Sequence, residues 1–296
     1  ADIAMGKAKL NRQGASGAYA YYSQNLNAQV SSQLELESAL RRALHGDEFY
    51  LVFQPKYRIQ GAELVGAETL IRWRDPERGI QSPADFIPAA EKSDLIQELD
   101  AWVLDRACRY AAQWSAQGIQ PSRIAVNLSA KSFTAQLPQS VAALMRRYAI
   151  SPDWLELEIT ESALMNSEGE VISIMNGLLA LRLTLTLDDF GTGYSSLTYL
   201  KRFPISCIKI DQSFVRDLSE DESDATIVRA IISLGVNLGL DVIAEGVETE
   251  AQREFLMSHH CNAFQGYLFS RPLPLQDFEK LVRERRPGTQ SAGSHS

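Results

Sequence analysis

The chain has 296 residues, 45% of them hydrophobic and 22% charged, an ordinary globular composition with enough length for a large core. Its 29 Lys and Arg against 37 Asp and Glu give a net charge of −8, which excludes the basic footprint of a duplex nucleic-acid binder. A small anionic ligand would need a metal or a few local Arg and Lys residues to supply positive charge. Three widely spaced cysteines, Cys108, Cys207 and Cys261, argue against a disulfide framework and for a reducing, cytoplasmic setting. No run approaches the roughly 18 apolar residues of a membrane span, so no membrane contact is expected of this part of the protein.

In chain order, residues 1 to about 30 are small and polar, with a helix-like opening, Ala1 to Leu10, and a Gly/Ser-containing break, Asn11 to Gly17. They read as the end of an upstream unit and a linker. Regular apolar periodicity begins at Leu34, in LELESALRRAL. Eight strand-like runs follow, rich in β-branched and aromatic residues: Phe49 to Tyr57, Leu64 to Leu70, Ile124 to Leu128, Leu155 to Thr160, Leu183 to Asp188, Cys207 to Asp211, Asp241 to Glu245 and Ala263 to Phe269. Segments of helical period lie between them, among them Leu95 to Gln117, Val141 to Tyr148, Val171 to Leu181 and Ala225 to Leu238. Residues 285–296, RRPGTQSAGSHS, have the composition of a disordered tail.

Strands alternating with helices predict parallel pairing, and eight of them predict an α/β fold of the TIM-like (β/α)8 barrel type over residues 31–284. The connection Arg58 to Glu63 is too short for a crossover helix, so the first strand is expected to run antiparallel to the second. An open doubly wound sheet is the alternative, but no Gly-rich phosphate fingerprint follows an early strand.

Side chains at the C-terminal ends of barrel strands converge on one mouth. Here those ends carry Glu68 with Arg72, Asn127, Glu158 with Glu161, Asp188 with Asp189, Lys209 with Asp211, Glu245 with Glu248, and Gln265. So many carboxylates around one opening repel each other unless cations sit among them. Oxygen ligands without His or Cys select hard divalent ions such as Mg²⁺ or Mn²⁺, and adjacent Asp188 and Asp189 could bracket a pair of the kind used to hydrolyse phosphate esters. Any single acidic residue at a strand end also has a simpler reading as a turn or helix cap. Lys209, between Ile208 and Ile210, points to the barrel axis as a salt-bridge partner or a catalyst. His259, His260 and Cys261 are consecutive, cannot close a tetrahedral zinc site, and read as structural.

These pieces carry a resemblance. FQPKY at 53–57, AETLIRW at 67–73, NLS at 127–129, ELEITES at 156–162, DDFGTGYSSL at 188–197, KID at 209–211, AEGVE at 244–248 and QGYLFSRP at 265–272 together resemble the EAL domain, the family of bacterial cyclic di-GMP phosphodiesterases. The resemblance implies hydrolysis of cyclic di-GMP to linear di-GMP with two Mg²⁺ or Mn²⁺ ions per site and inhibition by Ca²⁺. It implies metal ligation by Glu68, Asn127, Glu158, Asp188, Asp189 and Glu245, with Glu68, Lys209 and Glu245 as catalytic residues. Whether Lys209 or Glu245 accepts the proton of the attacking water stays open.

The resemblance further places Arg72, Gln265 and Asp211 in substrate binding, with Gln265 orienting the water around the ions. Glu161 and Glu248 would steady the DFGTGYSS loop, which the family connects to a homodimer interface. Thr69 departs from the family, standing where the name-giving motif has Ala; its hydroxyl is expected to face away from the ligands. ADIAMGKAK at the start resembles the last helix of a GGDEF domain, implying a tandem parent that could itself be membrane-anchored. A non-catalytic cyclic di-GMP receptor and a Schiff-base barrel built on Lys209 are the competing classes.

Overall fold

A computed structural model describes residues 31, 33–119, 123–165, 168–192, 200–218 and 222–285. The helix-like opening and linker before residue 31, the tail beyond Arg285 and the 193–199 part of the DFGTGYSS segment lie outside the described residues.

A helix over residues 33–44 (α1) leads in, burying Ala39, Leu40 and Ala43 along one side. Strands β1 (Phe49–Arg58) and β2 (Leu64–Asp75) then form the expected hairpin, antiparallel from Phe49 opposite Trp73 to Tyr57 opposite Leu64. A short β3 (Gly79–Gln81), helices α2 (Pro83–Lys92) and α3 (Leu95–Ala116), and β4 (Ile124–Leu128) follow. The chain continues with α4 (Leu137–Tyr148), β5 (Leu155–Thr160), α5 (Glu168–Ala180), β6 (Thr184–Phe190), β7 (Cys207–Ile210) and α6 (Gln212–Arg216). It ends with α7 (Glu222–Leu238), β8 (Asp241–Ala244), α8 (Glu250–Ser258), β9 (Ala263–Phe264), β10 (Leu273–Pro274) and α9 (Leu275–Glu284).

The strands pair in the order β1, β2, β4, β5, β6, β7, β8, β9, and β9 pairs back to β1, closing a barrel of eight. Pairings from β2 through β9 are parallel, whereas β1 runs antiparallel to both neighbours. No crossover helix separates β1 from β2, so the outer face of β1 is covered by α3 and α9. Phe53 stacks on Phe278 with ring centroids 5.2 Å apart and meets Trp114 at 5.1 Å, and Trp114 Nε1 donates to Glu279 at 2.8 Å. Burying rings of this size contributes about 1.5–3 kcal/mol each. No described helix is long and apolar enough to cross a membrane.

Three strand boundaries differ from the sequence reading by two residues or more, each for a local reason. Strand β2 runs on to Asp75 because β3 pairs with its end, Trp73 opposite Gln81, so Arg72 sits within a strand. The run Ala263 to Phe269 is a strand only over Ala263–Phe264. Beyond it the backbone turns against the loop after β8: Val247 N donates to Gln265 O at 3.1 Å and Leu268 N to Val247 O at 3.0 Å. Only a glycine fits at 266, where an added Cβ would lie 2.1 Å from Val247 O. Strand β6 extends through Asp189 to Phe190, but its pairing with β7 shifts register between Leu187 and Phe190.

Candidate metal centre

Successive strand residues alternate between the inside and outside of the barrel. The inward set begins as two polar layers. Nearer the N-terminal ends of the parallel strands lie Glu156 (β5) and Thr186 (β6), with Lys56 from the C-terminal half of the reversed β1; Lys56 Nζ donates to Glu156 Oε1 at 2.9 Å, as does Thr186 Oγ1. One step further, Glu158 and Asp188 occupy the next inward positions of β5 and β6, facing Glu68 of β2, Asn127 of β4 and Lys209 of β7. Glu245 and Gln265 directly follow β8 and β9.

Lys209 is the hub. Its Nζ lies 2.7 Å from Glu245 Oε1, 2.9 Å from Glu158 Oε2, 3.0 Å from Asp188 Oδ2 and 3.5 Å from Glu68 Oε2, and it has no exposed surface. Burial disfavours its charge, but the pull of Asp188, Glu158, Glu245 and Glu68 overcomes that, and its pKa is raised well above that of a free lysine. Glu68 accepts from Asn127 Nδ2 at 2.6 Å and from Gln265 Nε2 at 2.5 Å, which fixes both of its oxygens. Gln265 Nε2 also reaches Gln54 Oε1 at 3.0 Å.

Asp188 and Asp189 raise a geometric problem, because consecutive strand residues face opposite sides. The register shift and a left-handed backbone at Asp189, φ 53°, turn the second carboxylate back towards the first. Aspartate tolerates that conformation better than most residues, and the turn is tied by Asp189 N donating to Asp188 Oδ1 at 2.9 Å.

The donor set suits divalent cations. Glu68, Glu158 and Asp188 form one group with ligand atoms within 4.8 Å of one another, and Asp188, Asp189 and Glu245 form a second that shares Asp188. Asn127 spends its amide nitrogen on Glu68, which leaves its carbonyl oxygen as the donor available to a cation. Gln265 Oε1 is buried without a hydrogen-bond partner among the described residues. Glu68, Glu245 and Asp189 hold their protons more tightly than free carboxyl groups do. Burial raises Glu68, reinforced by Glu158 and Asp188. It raises Glu245 with help from Asp188 and Glu68, and pushes Asp189 up to about 6, together with Asp188 and Asp211. Glu158 goes the other way: burial opposes its charge, but Lys209 and Lys56 hold it down at about 2.

A cleft of about 220 Å³ opens beside these groups, lined by Gln54, Glu68, Gln212, Glu245, Gln265 and Tyr267. Arg72 is half-buried near Tyr50, Tyr267 and Glu68; burial lowers its pKa, and its Nη1 donates to Ile71 O at 2.8 Å. The remaining expected site residues lie outside the two acidic groups of ligands. Asp211 Oδ1 caps α6, accepting from Ser213 N at 3.0 Å. Glu161 is buried, and among the described residues neither carboxylate oxygen has a hydrogen-bond partner. Glu248 is exposed, and its backbone N–H donates to Gln252 Oε1 at 2.7 Å. The loop that Glu161 and Glu248 were expected to steady lies largely in residues 193–199, outside the described set.

Thr69 is buried and its hydroxyl donates to Ala125 O at 2.8 Å, so the departure from the motif is satisfied by a neighbouring strand. His259 ends α8 with Nδ1 2.8 Å from Phe255 O, and Cys261 Sγ donates to the Val242 and Ala263 carbonyls. Lys56, Glu156 and Gln54 were not singled out from the sequence. Their signal was the period-two spacing of Gln54 with Lys56 and of Glu156 with Glu158, which puts each pair on the inner face.

Fold and site together define a class: a closed (β/α)8 barrel with one reversed strand and, towards the C-terminal ends of its parallel strands, two acidic groups that could each hold a cation. The chain belongs to the EAL domain family, whose model matches residues 37–272. It is 44% identical over 277 residues to the bifunctional diguanylate cyclase/cyclic di-GMP phosphodiesterase MucR of Pseudomonas aeruginosa, covering 93% of this chain and 40% of that protein. It is 41% identical over 267 residues to the cyclic di-GMP phosphodiesterase NbdA of the same organism, covering 90% and 34%. The chain thus spans well under half the length of these relatives. A solved structure described as the PaMucR phosphodiesterase in a c-di-GMP complex superposes with a TM-score of 0.79 at 44% identity, covering 82% of this chain and 99% of that one.

Proposed function

We propose that this domain is a divalent-metal-dependent phosphodiesterase that hydrolyses cyclic di-GMP to linear 5′-pGpG. The observation that carries the reading is the pair of carboxylate groups joined at Asp188, each compact enough to hold one cation, in a chain of this family. Glu68, Asn127, Glu158 and Asp188 would hold one ion, and Asp188, Asp189 and Glu245 the other. Mg²⁺ or Mn²⁺ suits this all-oxygen set, and bound there the pair supplies a more acidic water and offsets charge on the phosphoryl oxygens. Ca²⁺, with its larger radius and looser coordination, is expected to inhibit.

The chain's own groups define the rest. Lys209, held as an ammonium by its carboxylates, donates hydrogen bonds and keeps the two ligand groups together. Glu245, which borders the cleft and lies 2.7 Å from Lys209 Nζ, would accept the proton of the attacking water. Arg72 meets a substrate phosphate from the rim. Gln265, steered by Gln54 and Glu68, presents its unpaired oxygen to water at the site, and Asp211 shapes the substrate side while capping α6. Water attacks one phosphorus, the bond to the 3′-oxygen breaks, and that oxygen leaves as the 3′-hydroxyl with the proton.

Residues 1–30 are assigned to the end of a GGDEF-like domain and its linker, 31–284 to the catalytic domain and 285–296 to a tail. The MucR relative, a bifunctional cyclase and phosphodiesterase more than twice as long as the matched segment, supports the tandem arrangement. A homodimer coupled through the DFGTGYSS loop, with Glu161 and Glu248 as its supports, completes the proposal. Three free buried cysteines suit a reducing cytoplasm. Incubation with cyclic di-GMP and Mn²⁺, resolved by chromatography, tests the reading: a linear dinucleotide that disappears with EDTA supports it, and bound but intact cyclic di-GMP points to a receptor instead.

A further inference from the structure

Lys56 has no part in the proposed chemistry, yet it is buried beside a proposed ligand. Its Nζ lies 2.5 Å from Glu158 Oε1 and 2.9 Å from Glu156 Oε1, and only 2% of its surface is exposed. Glu158 is itself fully buried, with its other oxygen 2.9 Å from Lys209. The two oxygens of Glu158 are therefore held by two different lysines, one on each side along the barrel axis. Oε2 shares the Lys209 ammonium with Asp188 Oδ2 at 3.0 Å and Glu68 Oε2 at 3.5 Å, so it is the oxygen on the side of the first ligand group.

Lys56 faces the opposite end of the barrel. It lines a separate cleft of about 430 Å³ with Arg58, Arg123, Glu156 and Cys207, none of which borders the cleft beside Glu68 and Glu245. Substrate on that side cannot reach it. Glu156, steadied by Thr186 Oγ1 at 2.9 Å, anchors the lysine from below. Without an ammonium at this position, Glu158 Oε1 would have no donor, and the carboxylate would be free to turn about its Cγ–Cδ bond.

From this geometry we infer that Lys56 is a positioning residue for the cation site: it takes Oε1 of Glu158 and thereby presents Oε2 alone to the ion. The inference rests on the metal-site reading above. It is tested by Mn²⁺ titration of the metal-free protein, following the electron paramagnetic resonance signal of free Mn²⁺, with thermal melts as a folding control. Outer-shell partners of metal ligands are typically worth about 10–100-fold in affinity, and Lys56→Met should weaken Mn²⁺ binding by that factor. Glu156→Gln keeps Lys56 on Glu158 and should bind Mn²⁺ as the unmodified protein does.

If Lys56→Met fails to fold because Glu156 is orphaned, the double variant Lys56→Met with Glu156→Leu removes both lower groups and carries the same expectation. A merely structural lysine would lower the melting temperature and leave Mn²⁺ affinity of the folded protein unchanged; that result overturns the inference. Absence of Mn²⁺ binding by the unmodified protein instead overturns the metal-site reading, and the two failures are told apart in one titration.

Discussion

Replacing Lys209 with Met removes the cation on which Glu68, Glu158, Asp188 and Glu245 converge, each within 3.5 Å of its Nζ. Methionine fills nearly the same volume, so packing changes little and the electrostatic loss dominates. Breaking a buried ion pair by deleting one partner costs about 3–5 kcal/mol, because a buried charge is left uncompensated. In a domain of this size each kcal/mol shifts Tm by about 2–4 °C, so metal-free Lys209→Met should melt roughly 6–20 °C below the unmodified protein. Divalent ions should then restore more stability to the variant than to the parent, since they supply the missing positive charge and bind only the folded state. Scanning calorimetry of both proteins in EDTA and in Mn²⁺ gives the four temperatures. A variant melting within a degree or two of its parent in EDTA, or gaining no more from Mn²⁺, would falsify the picture of Lys209 as the internal counter-ion.

Further outcomes follow from the same geometry. Glu68→Ala and Asp188→Ala each remove a member of a ligand group and should abolish Mn²⁺-dependent hydrolysis while the far-ultraviolet circular dichroism stays that of the parent; normal turnover in either would sink that ligand assignment. Arg72→Ala should lower kcat/KM about 10²–10³-fold, the usual loss for one preorganised charge-stabilising donor, and a change under threefold would remove Arg72 from the site. Asp189 shows how pH should act. Its pKa is raised from 3.8 to about 6, so metal-free its contribution to stability is present below the unfolded value and is lost as pH rises through about 6. An ion must displace that proton, so Mn²⁺ affinity should climb between pH 5 and 7; isothermal titration showing a flat profile would contradict it. Gly266→Ala forces a methyl into the Val247 backbone and should destabilise by about 1–3 kcal/mol or more while disturbing the neighbouring Gln265, readable as a lower Tm and slower turnover.

The barrel was legible because both of its signals are local. Runs rich in β-branched and aromatic residues marked the strands, and the short Arg58–Glu63 connection could only be a hairpin, which forced the reversal of β1. Much of the site was legible for the same reason: inward residues towards the C-terminal ends of parallel strands face the mouth, and Asn127, Glu158 and Asp188 lie within the last three residues of theirs, whereas Glu68 lies mid-strand in β2, within its parallel pairing with β4. What the sequence hid depends on backbone detail or distant packing. Asp189 joins Asp188 only through a register shift and a positive φ, and no spacing rule announces either. The end of β9 was obscured because Tyr267, Leu268 and Phe269 look strand-like, whereas contact between Gly266 and Val247 turns the chain. Lys56 was overlooked because a lone lysine in an apolar run is ordinarily an outward, solvated residue. Its partners, Glu156 and Glu158, are about a hundred residues away. Asp211, expected at the substrate, also caps α6 by accepting from Ser213 N, a role compatible with the proposed one.

The most direct measurement of the central claim is the anomalous scattering of Mn²⁺ in a crystal of this domain. Two peaks should appear, one bounded by Glu68, Asn127, Glu158 and Asp188 and the other by Asp188, Asp189 and Glu245. A map with Mn²⁺ elsewhere, or with Lys209 still bridging these carboxylates and no ion among them at saturating Mn²⁺, would contradict the account.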